Sequence, residues 1–249
     1  MDLYALNPKL LRLLSMGSAI GLVVMMCAGM SMAGLLPPPG PDMPAVDLAR
    51  HLAEDATLKR TGILICMIGI ALYGTWCAVI TLWIRRMEEG RFPVIAWASA
   101  ILCGCGVCVF EAGPLLWVVA AFRPLEISPE ITQAIYELGW FAFLYSWPTF
   151  TLWFFLIAVA IFRDKHVPTL LPRWVAYLAI WTGVSYFPAA LIGYFKSGLF
   201  AFNGLGAFWL PFVAFCILMV SISFAMVQSI KREQLQAEGT VRVAEPVSS

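Results

Sequence analysis

Six apolar stretches divide the chain, and proline-rich or charged segments separate them. Each stretch reaches the length of about 20 apolar residues that a helix needs to cross the hydrocarbon core of a bilayer. The pattern predicts an all-α, polytopic membrane bundle of six transmembrane helices in one domain over 1–230, followed by a polar cytoplasmic tail over 231–249. The predicted helices cover about 13–35, 61–84, 93–122, 138–162, 174–195 and 206–230.

The composition agrees with a membrane location. Hydrophobic residues make up 61% of the 249 residues and charged residues 12%, and the mean hydropathy is +0.84. Soluble domains carry about 25% charged residues, so a soluble enzyme and a disordered chain are excluded. With a net charge of +1, no basic surface indicates a nucleic-acid partner.

The basic residues predict the orientation of the bundle. The termini and the second and fourth loops hold 11 of the 16 Lys and Arg residues, which favours the cytoplasm for both termini and a bacterial inner membrane as the location. A cleaved signal peptide is the alternative, because Lys9 and Arg12 precede an apolar run that ends near Ser31-Met32-Ala33. That run is longer than the 7–15 residues of a signal core, which favours a retained helix.

The first external loop contains a segment with helical periodicity over 42–59. Leu48, Leu52 and small alanines recur on one face, and charged residues such as Asp47 and Arg50 lie on the other. The pattern predicts an amphipathic segment on the outer surface of the bundle.

The seven cysteines all fall inside predicted helices, with a cluster at Cys103, Cys105 and Cys108. Residues two apart on a helix point in nearly opposite directions, and two thiols do not complete a zinc site. We therefore expect a packing role, with no metal, no cofactor and no obligatory disulfide. Ala100, Gly104 and Cys108 form a small-xxx-small face for a possible membrane protein partner. The chain has only two histidines, which also argues against a metalloenzyme.

Glu111 is the one acidic residue well inside an apolar stretch. A carboxylate at that depth is expected to face the bundle interior and to find a partner. Four prolines (114, 148, 188 and 211) lie between the midplane and the outer side, and each leaves a carbonyl to be satisfied. Glu111 is either a protonatable site in a pathway or a neutral acid that joins helices. The candidate solute-binding residues are Glu111, Tyr145, Ser146, Trp147, Tyr186, Asn203 and Trp209.

Three patches carry a resemblance over helices 3 to 6. They are Ala120-Ala121-Phe122-Arg123-Pro124 with Ser128-Pro129-Glu130, Pro172-Arg173-Trp174, and the stretch from Lys196-Ser197-Gly198 through Asn203-Gly204 to Phe208-Trp209. Together they resemble an uncharacterised family of bacterial six-helix integral membrane proteins. The resemblance implies a fold, and no activity or site comes with it.

The leading interpretation is binding or passage of a small amphiphilic solute through an outer-half cavity, as in a transporter or channel. The alternative is a non-catalytic membrane anchor or assembly subunit of an enzyme complex. An enzyme acting on a lipid is the third interpretation, and since no catalytic motif occurs we expect no enzymatic activity. A solute pathway requires a water-reachable cavity that contains Glu111, whereas an anchor requires Ala100, Gly104 and Cys108 to face outward.

Overall fold

The computed structural model describes residues 7–88, 90 and 92–244. In these residues six helical segments are long and apolar enough to cross a membrane. The prediction of an all-helical membrane bundle with six spanning helices is therefore confirmed. The segments cover Pro8–Met32, Ala56–Met87, Val94–Ala120, Pro129–Arg163, Arg173–Leu191 and Leu205–Gln236.

Several of the spans are built from more than one helical piece. The first consists of α1 (Pro8–Arg12), a π-helical turn (Leu13–Gly17) and α2 (Ser18–Met32). The short helix α3 (Ala45–Ala53) precedes α4 (Ala56–Met87) and α5 (Val94–Ala120). The fourth span joins α6 (Pro129–Leu144) to α7 (Trp147–Arg163), and the fifth joins α8 (Arg173–Ser185) to a 3-10 turn (Phe187–Leu191). A π-helical turn (Leu205–Trp209) leads into α9 (Leu210–Ala244).

Two boundaries differ from the sequence-based ones by more than five residues. The fourth span begins at Pro129 instead of near 138, because Ser128 caps the helix by accepting a hydrogen bond from the backbone N of Ile131 and proline suits the first helical turn. The sixth span continues as helix to Ala244, through much of the segment expected to be a tail. Its polar end is held by an ion pair of 2.9 Å between Arg86 and Glu233.

The four prolines have different effects on their helices. Pro114 lies inside the continuous helix α5. Pro148 starts α7 after α6 has ended at Leu144, so it breaks the fourth span. Pro188 lies in the 3-10 turn after α8, and Pro211 follows the π-helical turn before α9. A proline that removes one backbone donor can thus be accommodated by a kink, a break or a change of helix type.

The spans α2 and α4 approach each other through glycines. A methyl group on Gly29 would lie 2.5 Å from the carbonyl oxygen of Gly62, which no real side chain tolerates. Small residues allow this backbone approach, which supplies much of the packing energy between membrane helices.

The loop over 33–55 covers one end of the bundle, which we call the loop end. Inside the predicted amphipathic segment, α3 buries Leu48 and Leu52, and the last residues of that segment belong to α4. The hydroxyl of Tyr136 on α6 donates a hydrogen bond of 3.1 Å to the carbonyl of Pro39. At the opposite, terminal end, Arg12 donates a hydrogen bond to Gln234, so the start of the first span and the polar part of α9 lie on the same side.

Candidate functional site

Aromatic side chains fill the interior between α4, α5, α7 and α9. Tyr73 lies at the centre, with ring centroids 5.7 Å from Phe215 and 5.9 Å from Trp153. Two indole groups bridge helices at this level. Trp76 donates to Ser223 at 2.7 Å and Trp153 donates to Ser99 at 2.8 Å. Within the described part of the chain, this interior is packed by buried aromatic side chains.

A small apolar cavity lies beside the break between α6 and α7. Its volume of about 20 Å³ holds roughly one water molecule. Tyr186 is the single residue of the predicted site that lines it, and it is almost fully buried against Phe150 and Phe154. The other lining residues are apolar and come from α5, α6 and the regions around Pro188 and Pro211: Phe110, Phe143, Leu144, Ala189, Phe208, Pro211, Phe212 and Phe215.

Glu111 lies outside that cavity, although its neighbour Phe110 lines it. Adjacent residues on a helix point about 100° apart, and Phe110 takes the inward position. Glu111 is half-buried, and within residues 7–88, 90 and 92–244 no hydrogen bond or ion pair to its carboxylate is found. The expected interior donors therefore do not reach it, and its place in the predicted solute site has no structural support.

The remaining candidates fall into two groups, one at the break between α6 and α7 and one before α9. Tyr145 and Ser146 form the break between α6 and α7, where Tyr145 is exposed and the Ser146 hydroxyl donates to the carbonyl of Phe143 at 3.0 Å. Trp147 packs its ring against Phe187 at 5.5 Å.

Asn203 and Trp209 lie in and next to the loop before α9. Asn203 lies against the proline-rich loop, since a methyl group on Gly40 would meet its Nδ2 at 2.6 Å. The half-buried Trp209 has its ring 5.2 Å from that of Phe208. Neither residue shares a cavity with Glu111 in the part of the chain that the structure describes.

An open groove of about 440 Å³ runs between α4 and α5 on the outer face of the bundle. Small residues of both helices line it, with Gly74 and Ala78 on α4 and Ala100 and Gly104 on α5. Ala100 is half-buried and Gly104 is exposed, so both face outward as an anchor requires. Cys108 is exposed on the same helix but does not line the groove.

The groove also contains a disulfide bond, between Cys77 of α4 and Cys103 of α5 with their Cα atoms 6.0 Å apart. The expectation that Cys103 forms no disulfide is therefore wrong. That expectation was based on the spacing of cysteines within one helix. The pairing of Cys77 with Cys103 depends instead on how α4 and α5 are rotated against each other.

One hydroxyl in the groove lacks a partner. Thr81 lines the groove, and its Oγ1 is shielded from solvent without a hydrogen bond to any described residue. Sequence reasoning did not single out the α4 half of this site. The signal was present, because Gly74 and Ala78 have the same four-residue spacing as Ala100 and Gly104.

Among the described residues, no three His, Cys, Asp and Glu side chains come together as a metal centre would require. Comparisons with known protein families, with curated proteins and with solved structures found no match.

Proposed function

We propose that this chain is a non-catalytic integral membrane subunit whose groove between α4 and α5 docks a transmembrane helix of a partner protein. The observation that carries the proposal is the outward-facing groove lined by Gly74, Ala78, Ala100 and Gly104. Association of helices in lipid depends on close packing at small residues and on hydrogen bonds between helices. The first of these elements is present in the four small residues of the groove.

The dimensions of the groove favour a helix over a lipid chain. From Gly74 to Thr81 it follows about 10 Å of α4, or two helical turns. A methyl group on Gly104 would meet no described atom within 4 Å, which leaves room for the backbone of another helix. In a two-fold symmetric homodimer, the groove of one chain would face the groove of the other, so neither groove would receive a helix. This favours a different protein as the partner.

We also propose an orientation, with both termini in the cytoplasm of a bacterium and the loop end outside its inner membrane. The uneven distribution of Lys and Arg supports it, and so does the contact of Arg12 with Gln234, which places the start of the first span beside the polar part of α9. Reporter fusions after Lys165 and after Gln236 should both report a cytoplasmic position.

The docking proposal can be tested by filling the groove. Gly104→Leu should abolish stoichiometric recovery of a partner when the full chain is purified from its native membranes in mild detergent. Cys105→Leu is the matched control, because Cys105 is exposed on the same helix and does not line the groove. Equal recovery with both variants would overturn the proposal, and a homodimer lost only in Gly104→Leu would replace the foreign helix by a second copy.

Binding of a small amphiphilic solute is the second candidate function, and the cavity beside Tyr186 is the observation that favours it. At about 20 Å³ the cavity admits such a solute only if its aromatic walls move apart. A short-chain alcohol should then raise the melting temperature of the wild-type protein but not of Ala189→Leu, which fills the cavity. The same rise in both proteins would remove this cavity from consideration.

A further inference from the structure

A second cavity, independent of the docking groove, lies at the terminal end between residues 169–174, where α8 begins, and residues 224–232 of α9. It has a volume of about 310 Å³. The lining residues on α9 change in character along the helix. They are apolar at Phe224 and Ala225, polar at Gln228 and Ser229, and cationic at Arg232. The distance along the helix from Phe224 to Arg232 is about 12 Å. A surface that is apolar at one end and cationic at the other is complementary to an amphiphile with an anionic head.

The guanidinium of Arg232 is fixed at the polar end of this cavity. Its Nη2 donates to the carbonyl of Thr169 at 2.7 Å and to the hydroxyl of Ser229 at 3.4 Å. Within the described part of the chain, no hydrogen bond from its Nε or Nη1 is found. A positioned arginine with remaining donors suits a phosphate group, whose oxygens accept two parallel N–H bonds.

The surroundings add positive charge and features of a membrane interface. Arg173 and Lys231 are exposed next to residues of the lining, and Trp174 forms part of the wall with half of its surface exposed. Tryptophan favours the level of the lipid headgroups. The helix α8 also begins here without a side-chain cap, so its first N–H groups contribute partial positive charge.

The nearby carboxylates already have partners. Glu233 forms an ion pair with Arg86 at 2.9 Å. Asp164 is buried and accepts hydrogen bonds from the backbone N of Leu170 at 2.6 Å and of His166 at 3.0 Å. An anion at Arg232 therefore meets a cationic environment.

We infer that this cavity binds the phosphate group of an anionic phospholipid, with the headgroup at Arg232 and an acyl chain against Phe224 and Ala225. Basic pockets between membrane helices are known to take such headgroups. Inorganic phosphate shares the chemistry of the head but would leave the apolar wall unused, which favours the lipid.

The test is a titration of the full chain in detergent with phosphatidylglycerol or phosphatidylcholine, with bound lipid counted by native mass spectrometry. The wild-type protein should retain one phosphatidylglycerol more tightly than phosphatidylcholine. Arg232→Gln should weaken that binding about tenfold or more. Lys231→Gln is the matched control, since it removes the same charge one residue away at a position that does not line the cavity, and it should bind as the wild type does.

Three results would overturn the inference. Equal losses in Arg232→Gln and Lys231→Gln would indicate diffuse charge attraction, and equal affinities for the two lipids would remove the role of the anionic head. Displacement of phosphatidylglycerol by millimolar inorganic phosphate would assign the site to the free ion. If Arg232→Gln does not fold, Ala225→Leu replaces it, because it fills the apolar wall and keeps Arg232. Unchanged phosphatidylglycerol binding by Ala225→Leu would contradict the lipid assignment.

Discussion

The indole Nε1 of Trp76 on α4 donates a hydrogen bond of 2.7 Å to the Oγ of Ser223 on α9, and both residues are fully buried. The Ser223 hydroxyl in turn donates to the carbonyl of Met219 at 2.8 Å. The two bonds are compatible, since the serine hydroxyl accepts one hydrogen bond and donates the other. The link joins two spans that are far apart in sequence.

Ser223→Ala should lower the free energy of unfolding by about 1 kcal/mol, because it leaves the Trp76 N–H without an acceptor. The measurement is the reversible unfolding of the purified protein in mixed micelles. Ser221→Ala, at a half-buried position on the same helix, is the control and should change stability much less. Equal effects of the two substitutions would show that the Trp76 bond contributes nothing specific.

The cysteines predict a defined labelling pattern. Five of them (Cys27, Cys66, Cys105, Cys108 and Cys216) are free, whereas Cys77 and Cys103 form the disulfide. Alkylation of the denatured protein should therefore add five groups without a reductant and seven after reduction, as counted by intact mass. Addition of seven groups without a reductant would contradict the pairing. Cys77→Ser/Cys103→Ser is the control, and its count should stay at five in both conditions.

The six spans were predictable because their length and apolarity exceed anything a soluble fold needs. The start of the fourth span was missed because the prediction followed only the apolar stretch, although Ser128 and Pro129 are typical of a helix N-terminus. Such local signals are present in the sequence and can be read from it.

The rotation of each helix was not predictable in the same way. Almost every residue of α5 is apolar or small, so no polar stripe marks which face is buried. Phe110 faces the cavity and Glu111 does not, a difference of one position that depends on contacts with other helices. For the same reason the seven candidate residues did not converge, and the pairing of Cys77 with Cys103 required the register of α4 against α5.

His51 makes the loop end sensitive to pH. Its Nε2 lies 3.2 Å from the carbonyl oxygen of Gly34, so this nitrogen donates, and the Lys59 ammonium donates to the His51 carbonyl. Burial, and secondarily the positive charge of Lys59, lower the pKa of His51 below its ordinary value of 6.5. The unfolded chain thus binds more protons in the window below about pH 6.5, and stability is lost as the pH falls through it.

His51→Gln should reduce this loss, because the amide can still donate to Gly34 and does not titrate. The melting temperature of the wild-type protein should fall more between pH 7.5 and 5 than that of the variant. His166→Gln is the control, since His166 is exposed in the loop before α8 and contacts Asp164 instead. A pH profile for His51→Gln identical to that of the wild type would rule out this contribution.

Substitutions of Glu111 test whether its carboxylate joins helices. If it joined helices as a neutral acid, Glu111→Leu would strand its donor and lower stability by about 1–3 kcal/mol. The structure has it half-buried on α5, without a bonded donor among the described residues. Leucine avoids the cost of a carboxylate at that depth, so Glu111→Leu should unfold at the same or a higher temperature than the wild type. Glu111→Gln should lie between them, because an amide is less costly in lipid than a charge but still polar. A marked loss of stability in Glu111→Leu, with Glu111→Gln unchanged, would instead indicate an interior partner for this carboxylate and a role in joining helices.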